Sequence, residues 1–208
     1  MLRSNKVRHL ILGTMKSSKS AHLIMNGHQL DEQGKRVLTL KPETDLRDGA
    51  FVSSRALHTK RPATVIPKYD DGTLLLSTIE SFQPDVVLVD ELQFFTDEQV
   101  EALSAASIAY DSTIQAYGLM ISYTGMMFEP VKRAMECGFT IHHLSMPCVH
   151  CSQDATHHLL YLDGQLQTSG SPINVEDFGN ASQVYESVCY ECYSLTTNPA
   201  HERVQHSK

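Results

Sequence analysis

Cys148-Val149-His150-Cys151 and Cys189-Tyr190-Glu191-Cys192 are two Cys-x-x-Cys knuckles, and four thiolates at that spacing build a closed tetrahedral Zn²⁺ site. Because protein sulfur fills the whole shell, such a metal is structural rather than catalytic. The alternatives are a redox pair or four unconnected buried thiols. Cys137, the remaining cysteine, falls in a helical stretch and reads as a small core residue.

A second chemical stretch is Gly13-Thr14-Met15-Lys16-Ser17-Ser18-Lys19-Ser20. It follows the phosphate-loop pattern Gly-x4-Gly-Lys-Ser/Thr, except that Ser18 stands at the second glycine. In such a loop backbone N–H groups cradle phosphates, the lysine neutralises β/γ charge and the last hydroxyl coordinates Mg²⁺. A serine at position 18 costs about 1–2 kcal/mol if the loop needs a positive φ there. The alternative is a solvated Ser/Lys turn that caps a helix. Asp90 and Glu91 supply what Lys19 and Ser20 lack, since bound Mg²⁺ keeps several waters and one or two carboxylates. Neighbouring strand residues face opposite ways, so Asp90 is expected to face the metal and Glu91 to accept a hydroxyl proton. The bland reading is a strand-end acid pair before an acidic helix start.

These groups need elements to hold them. The run Val7 to Leu12 reads as a strand, and the stretch behind the loop as a helix reaching Gly34, which is the context a phosphate loop requires. Arg36 to Leu40 reads as strand and residues 41–67 as a polar, Pro/Gly-broken loop. Gly72 to Phe82 predicts a helix, and Asp85 to Glu91 a strand buried on both faces. Thr96 and Gln99 have capping-box spacing ahead of a helix. Strands over Thr113 to Ile121 and Phe139 to Met146, with a helix from Phe128 to Gly138 between them, complete a parallel α/β alternation. After Met146 the pattern changes to a hairpin turning at Asp163-Gly164. His142-His143 and His157-His158 alternate across strands and read as structural or surface pairs.

The 208 residues, 41% hydrophobic, suit one domain with a small appendage. A formal net charge of −7 provides no general basic field for nucleic acid or anionic lipid. No apolar run reaches the roughly 18 residues of a membrane span, and the N-terminal stretch lacks a signal-peptide pattern. A cytoplasmic protein with reduced cysteines is expected.

The order of phosphate loop, Asp-Glu strand end and four-cysteine lobe resembles the type II thymidine kinases. "GTMKSSKS" resembles their Gly-Pro-Met-Phe-Ser-Gly-Lys-Ser, "KPETDLR" their Lys-Pro-x-x-Asp-x-Arg, "DELQFF" their Asp-Glu-x-Gln-Phe-Phe and "VYESVCYECY" their Tyr-x-x-x-Cys-Arg-x-Cys-Tyr. The resemblance implies a P-loop (RecA-like) parallel sheet flanked by helices over residues 1–146, a zinc-binding lasso over 147–195 and a loose tail at 196–208. It implies ATP γ-phosphoryl transfer to the 5′-hydroxyl of thymidine or deoxyuridine, with Mg²⁺ on the nucleotide, structural Zn²⁺ and a homotetramer, and neither nucleic acid nor membrane as partner. Gly13 through Ser20, with Asp90 and Gln93, would bind ATP; Ser20 and Asp90 would hold Mg²⁺; Glu91 would be the base. Met15, Asp45, Arg47, Gln93, Phe94, Leu119, Tyr123, Phe178 and Tyr185 would surround the nucleoside, and Cys148, Cys151, Cys189 and Cys192 the zinc. Met120 and Ser122 stand where the family has acids, Tyr123 for Phe, Met127 for Pro and Tyr190 for Arg. These departures bear on substrate preference, and keep open a catalytically weakened nucleoside-binding regulator of the same fold. A zinc-ribbon nucleic-acid ATPase is disfavoured by the acidic charge.

Overall fold

In the computed structural model the residues described are 7–45, 48–171 and 182–198. They fall into two compact units. The larger holds most of β1 (Arg8–Gly13), α1 (Lys19–Glu32), β2 (Val37–Pro42), β3 (Phe51–Ser54), β4 (Thr59–Pro62), β5 (Thr64–Ile66), α2 (Thr73–Phe82), β6 (Val86–Val89), α3 (Asp97–Ala109), β7 (Thr113–Gly118), α4 (Glu129–Glu136) and most of β8 (Thr140–Leu144). The sheet order is β5-β2-β6-β7-β1-β8, with β5, β2, β6, β7 and β1 paired in parallel. Burial explains the apolar runs: all four residues of β6 are buried, as are Leu10 and Leu12 on β1 and Ile114 and Ala116 on β7. A strand covered on both faces needs no polar alternation.

The capping box forms as the spacing predicts. Thr96 Oγ1 accepts from Gln99 N–H, and Gln99 Oε1 accepts from Thr96 N–H. Two expectations are corrected. Residues 41–67, read as loop, contain the antiparallel hairpin β3-β4 and the edge strand β5. Charge rather than apolar period holds this hairpin. Arg61 on β4 donates to Thr39 Oγ1 at 2.9 Å and to Asp31 at 2.7 and 3.2 Å, and Lys41 Nζ donates to the Phe51 carbonyl at 2.9 Å. A Cβ at Gly27 would stand 2.7 Å from the Arg61 guanidinium, so α1 admits that side chain only because it has glycine there. The second correction is at β6, which stops at Val89; Asp90 and Glu91 lie beyond it, and strand alternation does not set their directions.

The smaller unit comprises residues 13–17, 120–128 and those from 144 onward. Its sheet is antiparallel, in the order β10 (Gln165–Gln167), β9 (His157–Leu162), β11 (Gln183–Val188), followed by α5 (Tyr190–Thr197). The β9-β10 turn is at Asp163-Gly164, both with positive φ, 46° and 79°, as a hairpin matched to strand twist requires. Leu159, Val188, Tyr193, Cys148 and Cys189 form its core. Among the described residues no helix is long and apolar enough to cross a membrane.

Candidate active site and cysteine centre

Within the larger unit, Lys19 opens α1 and Asp90 follows β6, and both are buried. Asp90 N–H donates to the Leu40 carbonyl at 2.9 Å. Burial pushes the Asp90 carboxyl up to about 8, the Glu91 and Asp45 carboxylates push the same way, and Lys19 offsets part of this. Burial likewise pulls the Lys19 ammonium below its usual value, while Glu91 and Asp90 draw it back up. Glu91 and Asp90 both act on the buried Lys19 ammonium, and Asp45 adds its charge at Asp90. A hard dication fits such a set of oxygens.

Glu91 occupies the left-handed region at φ 50° and ψ 48° and leads into a 3-10 turn, Leu92–Phe94. Gln93 is buried and donates to Glu91 Oε2 at 2.5 Å. Phe94 is half-buried on the same turn, and Leu119 N–H donates to Gln93 Oε1 at 3.0 Å. Asp45 pairs with the buried Lys41 at 3.6 Å. Arg47 and Phe178 lie outside the described residues. On β7, Tyr117 is fully buried among His22, Asn26 and Gln115. Burial, only partly offset by the Asn26 hydrogen bond, pushes its phenol up to about 12.

The smaller unit carries the first half of the loop. Met15 N–H donates to His158 Nε2 at 2.8 Å, and Met15 carbonyl accepts from Ser187 Oγ at 3.0 Å. His158 Nδ1 lies 3.1 Å from the Ile121 carbonyl. These partners assign the neutral tautomer, bare at Nε2 and protonated at Nδ1. Sequence reasoning assigned His158 no part in the loop; a strand His-His pair has no spacing signal that names its partner. Thr14 Oγ1 reaches Met146 Sδ at 3.8 Å, and Ser17 N–H donates to the Thr14 carbonyl at 3.2 Å. Ser17 Oγ is buried with no hydrogen-bond partner among the described residues. A Cβ at Gly13 would sit 2.3 Å from that oxygen, so a side chain there would force Ser17 to move. Lys16 and Ser18 both have positive φ, 66° and 63°, and left-handed residues alternating with ordinary ones aim successive N–H groups inward as an anion nest. An orphaned hydroxyl in such a nest is the arrangement a phosphate satisfies.

Tyr123 is buried, and its hydroxyl donates to the Ser169 and Ser171 carbonyls at 3.3 Å each. Tyr185 is half-buried on β11, its phenol pushed up by burial and then by Tyr123. Met120 accepts from Phe128 N–H at 3.2 Å, and Ser122 is buried.

The sulfurs of Cys148, Cys151, Cys189 and Cys192 all lie within 4.8 Å of one another. Bonds of about 2.3 Å at tetrahedral angles would place them about 3.8 Å apart, so the cluster can hold a metal ion with little adjustment. Backbone N–H groups of His150 and Cys192 already point at Cys148 and Cys189 sulfur, each at 3.4 Å. Burial pushes the Cys148 thiol up, but hydrogen bonds from Cys189, His150 and Cys151 outweigh it and hold the group at about 6. Cys192 is half-buried, and desolvation followed by hydrogen bonds to the other three thiols pushes it far above its usual value.

A parallel sheet of this order, with a buried lysine opening α1 and an acid pair just past β6, defines the P-loop class of α/β proteins. The family model described as thymidine kinase matches residues 7–193, and the chain belongs to that family, whose members are phosphotransferases. It is 31% identical over 189 residues to the thymidine kinase of Enterobacteria phage T4, covering 88% of this chain and 93% of that one. It is 30% identical over 184 residues to that of Streptococcus gordonii, covering 87% and 92%. With the thymidine kinase of Encephalitozoon cuniculi it shares 25% over 196 residues, covering 93% and 90%.

Proposed function

We propose that this chain transfers the γ-phosphoryl group of ATP to the 5′-hydroxyl of thymidine or deoxyuridine. The observation that supports it most is the buried Lys19 ammonium set against Asp90 and Glu91. In this reading the backbone of Gly13 through Ser18 cradles the phosphates and Lys19 neutralises their β/γ charge. Ser20 and, through water, Asp90 would hold a Mg²⁺ ion, which when bound spreads the charge that develops on the transferred group. Glu91 accepts the proton of the attacking hydroxyl. By the family resemblance, Phe94, Leu119, Met15, Tyr123, Asp45, Arg47, Tyr185 and Phe178 would contact the nucleoside. The four cysteines hold structural Zn²⁺, and the active form is a cytoplasmic homotetramer. Incubation with thymidine, ATP and Mg²⁺ should yield thymidine monophosphate, with a rate on the order of 10²–10⁴-fold lower for Glu91→Gln. No product above that control overturns the proposal. Ser18, with a side chain on a left-handed backbone, favours a second reading, a weakened nucleoside-binding regulator; ligand-induced stabilisation without turnover would support it.

A further inference from the structure

Glu91 keeps a left-handed backbone at φ 50°, a conformation that a side-chain-bearing residue holds only when its surroundings impose it. The 3-10 turn that follows is closed by Phe94 N–H on the Glu91 carbonyl and Phe95 N–H on the Leu92 carbonyl, both at 3.0 Å. Glu91 and Gln93 therefore ride on one short rigid turn. Gln93 is 1% exposed, and both ends of its amide are engaged. Oε1 accepts from Leu119 N–H at 3.0 Å, which leaves Nε2 to donate to Glu91 Oε2 at 2.5 Å. The Leu119 N–H thus decides which way round the amide lies. A Cβ at Gly118 would stand 2.9 Å from Gln93 Oε1 and 3.4 Å from Leu92 Cβ. The amide fits against the end of β7 because position 118 has no side chain.

We propose that Gln93 is a positioning residue that acts through Glu91 rather than on the nucleotide, and that Gly118 is the clearance that lets it do so. This rests on Glu91 serving as the base in the kinase reading above. Gln93 Nε2 on Glu91 Oε2 holds the carboxylate in one orientation. Glu91 takes the hydroxyl proton as the 5′-oxygen bonds to phosphorus, and the electron pair of the breaking P–O bond leaves with ADP.

Steady-state kinetics with ATP, Mg²⁺ and thymidine test this in Gln93→Glu, Gln93→Leu and Gly118→Ala, each alone and combined with Glu91→Gln. Alone, each should lower kcat on the order of 10- to 100-fold and leave both KM values within about twofold. On the Glu91→Gln background the same changes should alter the residual rate by less than about twofold, because the group they position is already gone. Equal losses on both backgrounds overturn the proposal, and so does a raised KM for ATP with kcat unchanged. Gln93→Glu keeps the side chain's shape and the acceptor for Leu119 N–H, so it stays readable if Gln93→Leu fails to fold. A wild-type protein that makes no monophosphate refutes the kinase reading itself. Crystal structures of the wild type and Gln93→Glu then decide the positioning: a Glu91 carboxylate turned away in the variant supports it, and one that has not moved overturns it.

Discussion

Ser18 shows what a residue-level departure from a loop pattern does physically. Its φ of 63° and ψ of 26° lie in the left-handed region, and as N-cap of α1 it makes no side-chain capping bond. The Cβ therefore adds strain of about 1–2 kcal/mol with no hydrogen bond in return. Ser18→Gly is expected to raise the melting temperature and to lower the KM for ATP; an unchanged or higher KM would mean that the loop holds serine without strain. Asp90 shows the opposite economy, stability given up at a working position. Its carboxyl sits at about 8 in the folded chain against an ordinary 3.8, so the folded state binds this proton more tightly than the unfolded one. Its contribution is complete below about pH 4 and is lost as pH rises through about 8. In Mg²⁺-free buffer at pH 8, Asp90→Asn is expected to stabilise the chain by roughly 1–3 kcal/mol while removing activity. Urea titrations at pH 5 and pH 8 check this, and a variant no more stable than wild type at pH 8 refutes it. The acids were legible in the sequence as a strand-end pair, but their geometry was not. Glu91's left-handed turn and Gln93's amide depend on Leu119 and Gly118, which are distant in sequence.

At the scale of elements, the sequence revealed those whose burial follows a period or whose ends carry caps. The four apolar residues of β6 and the Thr96–Gln99 box were both visible this way. The β3-β4 hairpin was not, because its fastening is Arg61 and Lys41 reaching Asp31, Thr39 and a carbonyl, and such polar contacts leave no periodic trace. Even the visible cap did more than its spacing announced. Gln99 is 2% exposed, and its Nε2 donates to the Pro67 and Asp70 carbonyls at 2.9 Å each, joining the start of α3 to the approach to α2. Thr96→Ala removes one capping acceptor and should cost about 1 kcal/mol. Gln99→Ala also strands two carbonyls and should cost about 2–4 kcal/mol. Urea unfolding that finds the two variants equally destabilised would reduce Gln99 to a cap alone.

For the whole molecule, the two units have different sources of stability. Among the described residues the larger rests on a six-stranded sheet, whereas the smaller has a three-stranded sheet and a hydrophobic cluster in which two of the five buried residues are cysteines. So small an apolar core needs a staple. The cysteine cluster supplies one only after losing protons. Hydrogen bonds hold the Cys148 thiol down at about 6, so it deprotonates more readily than an ordinary thiol. At Cys151 a backbone hydrogen bond from Gln153 pulls downward, but burial and the Cys148 and Cys189 thiols raise the net value; Cys192 is raised further, chiefly by burial. Zinc uptake at pH 7 should therefore release protons from Cys151 and Cys192, visible as a dependence of the calorimetric heat on the buffer's ionisation enthalpy. Affinity should fall as pH drops, and more steeply below about pH 6 once Cys148 also takes a proton. Stripping the metal with a strong chelator should accelerate amide exchange in β9, β11 and α5 while β2, β6 and β7 keep their protection. Exchange that quickens equally in both sets would mean that the metal stabilises the chain as one cooperative body, and unchanged exchange in β9 and β11 would remove the staple altogether.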